Sequence, residues 1–118
     1  MEAIETLRGG VPVIALRGEV DLAVSPRLRE LLKEKSSAKC PALVLDLSEV
    51  SYVDSSGLAT LVEYCREARQ FGGKFGLAGL QPRVRTILEI VRLHEFLPLH
   101  ATVEEAVRAA VGDGGGAA

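Results

Sequence analysis

Aromatic residues are scarce in this chain: Phe, Trp and Tyr make up 4% of its 118 residues, and Trp is missing altogether. Any core must therefore be built from Val, Leu, Ile and Ala. Positive charge is not in excess either. The formal net charge is -2, which argues against the basic face that nucleic-acid binding needs. Arg83, Arg85 and Arg92 read as solvated helix charges. No apolar stretch approaches the ~20 residues that span a bilayer, so no membrane insertion is expected. Met1-Glu2-Ala3-Ile4-Glu5 carries acid where a secretory signal has basic and apolar regions. Only two cysteines occur, Cys40 and Cys65, in no Cys-x-x-Cys arrangement. Cys65 falls on an apolar helical stripe and reads as a small buried hydrophobe. A reduced, cytoplasmic protein is the expectation.

Catalytic motifs are lacking as well. Ser55 is the only tempting nucleophile, but Val53 and Asp54 precede it and no Gly-x-Ser-x-Gly elbow forms. There is no Gly-x-x-x-x-Gly-Lys-Ser/Thr loop and no Gly-x-Gly-x-x-Gly after a strand. His94 and His100 stand six residues apart beside the last expected strand, with no ligand-spaced Cys or paired carboxylates. No catalytic residues, cofactor or metal are expected, and the chain does not read as an enzyme.

What is present is an ordinary globular balance, 47% hydrophobic and 25% charged, at a length that suits one domain. Ile4–Leu7 reads as a short edge strand, Arg8-Gly9-Gly10 as a turn and Val11–Leu16 as its hairpin partner. Pro12 belongs at the start of that strand or on an unpaired edge. Ser25 precedes Pro26 as a helix cap, and Leu28, Leu31 and Leu32 form the stripe of a first helix ending near Ser37. Ala42–Leu47 is a buried strand, after which Ser48–Val53 is expected to cross the end of the sheet. A second helix runs from about Ser55 to Gln70 and stops at Gly72-Gly73. Lys74–Ala78 is the next strand. Pro82 opens a third helix with Val84, Ile87, Leu88 and Val91 on its stripe, and Phe96–Leu99 is a final edge strand. Thr102 caps a fourth helix lined by Val103, Ala106, Val107 and Ala110, with Glu105 at capping-box spacing. Strands alternating with helices give an α/β fold with a mixed sheet. The domain is expected over 1–111, with a frayed Gly/Ala-rich tail at 112–118.

One stretch stands at the centre of this order: Val53-Asp54-Ser55-Ser56-Gly57, between the buried strand and the second helix. Asp54 and Ser55 are both good N-caps, because a side-chain oxygen can accept from an N–H two or three residues on. Capping alone would explain them. Two adjacent hydroxyls stand where one would serve, however, and Gly57 is expected to leave the backbone open beside them. A helix start favours anions, so the fold would tolerate a phosphate on a serine there. If Ser55 is committed as the cap, Ser56 is the more exposed hydroxyl; the residues by themselves leave that choice open.

Asp54-Ser55-Ser56-Gly57-Leu58 resembles the signature of the anti-sigma factor antagonists, members of the sulfate transporter and anti-sigma factor antagonist (STAS) domains. Leu16-Arg17-Gly18-Glu19-Val20-Asp21 is similar to the family's Gly-Glu-Leu-Asp segment, and Gly72-Gly73 and Pro82 fit the pattern. The resemblance runs from about Ile4 to about Val111. It implies a mixed sheet of four or five strands with about four helices, packed mainly on one face. It also implies phosphorylation of Ser55 by a partner that is both an anti-sigma factor and a serine kinase, reset by a serine phosphatase. On the same grounds the partner-binding surface is expected at Asp21, Asp54, Ser55, Ser56, Gly57 and Leu58, with Asp21 a neighbour of the Ser55 loop. Unphosphorylated chain would bind the anti-sigma factor and release the sigma factor. The alternative is a non-switching STAS scaffold of a lipid-transport or stress-signalling complex, in which Ser55 only caps its helix.

Overall fold

The computed structural model of the chain describes residues 1–112, so the tail expected at 112–118 lies, beyond Gly112, outside the described residues. In chain order the elements are β1 (Glu2–Arg8), β2 (Val11–Val20), α1 (Ser25–Ser37), β3 (Ala42–Val53), α2 (Ser55–Phe71), β4 (Lys74–Ala78), α3 (Pro82–Ile90), β5 (Leu99–His100) and α4 (Val103–Val111). One turn of 3-10 helix, Leu93–Glu95, separates α3 from β5. The strands form a single five-stranded sheet in the order β1-β2-β3-β4-β5.

Chain connectivity dictates this order. Two residues, Gly9 and Gly10, join β1 to β2, which is enough only for an antiparallel hairpin. Both have positive φ, 57° and 82°. Each later strand runs parallel to the one before it and so needs a helical crossover. Three right-handed crossovers stepping the same way across a sheet place their helices on one face. Accordingly α1, α2 and α3 share the larger core, with Ile14, Leu16, Leu43, Leu45, Leu47 and Leu77 beneath them. The last helix, α4, returns over the opposite face and seals Val11, Val13, Val44 and Ala78 with Ala106. The α/β architecture and the one-sided bias of the helices match the sequence expectation.

Several boundaries differ from it, each for a physical reason. The second strand runs on past Leu16 to Val20. Ser48–Val53 does not cross the sheet end but stays in β3. Its residues in the larger core, Leu43, Leu45 and Leu47, recur at a spacing of two that changes to three at Val50 and Val53. Two register shifts against β2, between Ala15 and Arg17 and between Gly18 and Glu19, take up the extra residues. Such bulges re-aim side chains, and they hide a strand from any reading based on strict alternation. Ser25 is the first residue of α1 and not its cap; Val24 precedes it, with no side-chain capping bond. Val91 is half exposed at the end of α3 and does not join the stripe. The final strand is Leu99–His100, because the 3-10 turn and the bend after it occupy Phe96 and Leu97. Among the described residues no helix is long and apolar enough to cross a membrane.

Candidate functional site

The C-terminal ends of β2 and β3 lie side by side, with Val20 paired to Val53. The chain leaves both there, into the Asp21 turn and into the start of α2. Asp54 ties the two together. As N-cap of α2 it has extended backbone, and its Oδ1 accepts from the N–H of Ser56 at 2.9 Å and of Gly57 at 3.1 Å. Its Oδ2 accepts from the Leu22 N–H at 3.0 Å, and its own N–H donates to the Val20 carbonyl. The Ser56 hydroxyl and then the Gly57 N–H hold the Asp54 carboxyl below its ordinary value of 3.8, against an opposing desolvation effect. Asp54 is therefore an ionised cap.

Asp21, the other acid expected here, closes its own turn. Its Oδ1 accepts from the Ala23 N–H at 3.0 Å and its carbonyl from Val24 and Ser25. Through Leu22 the turn hangs on Asp54, so Asp21 is a neighbour of the Ser55 loop.

The two adjacent serines have opposite surroundings. Ser56 is partly buried; its hydroxyl donates to Asp54 Oδ1 at 2.6 Å and lies 2.6 Å from Ser25 Oγ. Ser25 is 2% exposed, and its single hydroxyl proton can go to Ser56 Oγ or to the Asp21 carbonyl, 2.7 Å away. A chain of hydroxyls thus pins α1 to the start of α2. Ser55 is exposed, and Asp54 takes neither its hydroxyl nor its N–H. With Asp54 serving as the cap, Ser55 has no capping duty.

Gly57 and Leu58 sit inward. Leu58 belongs to the core under α2. A Cβ on Gly57 would stand 2.8 Å from both Val20 Cγ1 and Val53 Cγ1 and 3.0 Å from the Val20 carbonyl oxygen. The glycine therefore lets the helix start press onto the two strand ends, and does not leave the backbone open as expected. Two residues were missed by sequence reasoning. From the sequence Ser25 reads as a helix cap, although a hydroxyl before Pro26 suits a tertiary partner equally well. Leu22 is 73% exposed one residue from Asp21, a large apolar side chain in water beside the loop. Its signal was available: an apolar residue in a turn with no core to enter.

The histidines are elsewhere. His94 is in the 3-10 turn, and His100 is in β5 with its ring against Gly76. Among the described residues no group of three or more His, Cys, Asp or Glu could hold a metal. What the arrangement offers chemically is a free hydroxyl at the positive end of a helix, flanked by a fixed carboxylate and an exposed apolar residue.

Residues 4–106 match the family model of the STAS domain. The chain is similar to the anti-sigma-B factor antagonist of Listeria monocytogenes, 33% identical over 86 residues, or 73% of this chain and 75% of that one. It is also similar to the anti-sigma-F factor antagonist RsfB of Mycobacterium tuberculosis, at 31% over 98 residues and 83% and 80% of the two chains. The crystal structure of an anti-sigma factor antagonist from Mycobacterium paratuberculosis superposes with a TM-score of 0.83 at 28% identity, covering 92% of each chain.

Proposed function

Because this chain belongs to the STAS domain family, among its anti-sigma factor antagonists, we propose that it binds an anti-sigma factor through the Ser55 surface and is switched off by phosphorylation of Ser55. The partner is itself the serine kinase, and a serine phosphatase restores the binding form. The observation that carries this reading is the division of labour at the helix start: Asp54 caps, Ser56 is tied down, and Ser55 is exposed. Docking would cover Ser55 together with Asp54, the Asp21 turn and the exposed Leu22, an apolar contact inside a polar rim.

Phosphate would add about -1.5 to -2 charges at a surface that already carries the ionised Asp54. Nothing in the fold need move. An added anion at an interface acts through like-charge repulsion and desolvation. Spoiling one buried polar contact there costs about 2–5 kcal/mol, roughly 30- to several-thousand-fold in affinity. The free, buried Cys40 and Cys65 fit a reducing cytoplasm.

The test is phosphorylation by the cognate kinase with ATP, followed by mapping of the modified residue. Wild type and Ser56→Ala are expected to be labelled on Ser55, and Ser55→Ala to stay unlabelled. Ser55→Asp should bind the kinase at least about 30-fold more weakly while keeping its fold. Label on any other residue, or undiminished binding by Ser55→Asp, would refute the proposal.

A further inference from the structure

The two edges of the sheet are managed very differently. At one edge β5 is two residues long, too short to template another strand. At the other, β1 is seven residues long and exposes all of them but Ala3, including Leu7 at 70% and Ile4 at 45% exposure. It pairs with β2 in unbroken register from Glu2↔Arg17 to Arg8↔Val11, with no bulge to twist its free edge away. Glu2–Arg8 contains no Pro, Gly or Lys, the residues that commonly blunt an edge. Its only guards are three charges, Glu2, Glu5 and Arg8.

Those charges complement one another in one arrangement. Along a strand the backbone groups point alternately to the two sides, so two antiparallel strands can pair only outward-facing residues with outward-facing residues. For two copies of β1 related by a two-fold axis, the register of full overlap that obeys this rule puts the axis on Glu5. Glu2 then faces Arg8 at both ends, Ile4 faces Thr6, and Ala3 faces Leu7. Only Glu5 meets its own copy. Each Glu5 carboxylate is already held by the Lys35 ammonium at 2.7 Å, so two ion pairs meet there and not two bare anions. Arg8 also contacts Glu104 at 2.8 Å and Arg17 lies 3.8 Å from Glu2, but these are exposed pairs of small net worth.

We propose that β1 is a self-association edge: two copies of this chain join their sheets antiparallel through β1, in the register that sets Glu2 against Arg8. The charges repel a foreign strand of unmatched sequence and admit the chain's own. This inference is independent of the switch at Ser55.

Light scattering after gel filtration, across a concentration series, is the test. Wild type should pass from monomer to dimer as concentration rises. R8E and E2R should each raise the dimer dissociation constant by about tenfold or more, since each turns two facing opposite-charge pairs into like-charge pairs. Mixing the E2R chain with the R8E chain should restore dimer, because each then offers what the other lacks. That rescue separates pairing from misfolding. Glu5→Cys, on the axis, should cross-link into a disulfide dimer under oxidation, whereas Glu2→Cys should not. A chain that stays monomeric up to about 1 mM, or a dimer indifferent to both charge substitutions and to mixing, would overturn the proposal.

Discussion

Helices α2 and α4 begin alike and end up with opposite properties. Each has a side-chain cap: Asp54 accepts from Ser56 and Gly57, and Thr102 Oγ1 accepts from the Glu105 N–H. At α4 the first turn then carries Glu104 and Glu105, and Glu104 is paired with Arg8. Its positive end is already answered by two acids, one of them held by Arg8. The first turn of α2 carries no acid; it offers Ser55 and Ser56. One helix start is closed and structural. The other has its anion in the cap itself, the ionised Asp54, and leaves the hydroxyl of Ser55 exposed in the turn that follows. The contrast teaches that a cap does not by itself mark a site; what matters is what the first turn leaves free.

The most damaging way to break the contrast is at Gly57. Gly57→Ala would drive a methyl into Val20 and Val53 at 2.8 Å, so the start of α2 must lift off the strands. We expect a loss of about 1–3 kcal/mol in denaturant unfolding, larger than any single change at the start of α4.

Asp54→Ala comes next, because it strips the acceptor from the N–H groups of Ser56, Gly57 and Leu22 at once. Its effect should depend on pH with a definite sign. The folded-state pKa of Asp54 is depressed below 3.8, so its contribution is in place above that value and is lost as the pH falls through the lower folded value. Thermal melts of wild type and Asp54→Ala should therefore differ at pH 7 and converge at the acid end. A gap that persists unchanged in acid would show that the ionised carboxylate is not the cap.

Thr102→Ala should cost about 1 kcal/mol, an ordinary neutral cap. It should leave partner binding alone, which a pull-down with the anti-sigma factor would report. The smallest stability effect is expected at the serine with the largest functional one. Ser55→Ala should change unfolding by less than about 0.5 kcal/mol, while Ser56→Ala, which removes the link from Asp54 to Ser25, should cost about 1 kcal/mol. Equal losses at the two serines would erase the distinction between the tied hydroxyl and the free one.

Much of this molecule is readable from its residues. The alternation of strands and helices, the hairpin at Gly9-Gly10, the Gly72 stop of α2 and the Thr102 cap all rest on local chemistry, and each appears where it was expected. The local rules fail where two segments meet. Bulges against β2 broke the alternation of β3, so Ser48–Val53 looked like a connection. Ser25 looked like a cap because its partner, Ser56, lies 31 residues away in sequence. The end of α3 looked apolar on its stripe, yet Val91 had no core left to enter.

By itself, then, the order of residues determined the fold class and the placing of two adjacent serines at the start of α2, the candidate site, since periodicity and capping are properties of a few neighbouring residues. Only the tertiary structure decided which serine is free. That choice depended on Asp54 reaching forward to two backbone N–H groups and across to Leu22, and on a buried hydroxyl of α1 meeting Ser56. Hydrogen-bond partners brought together by packing carry no mark in the local sequence.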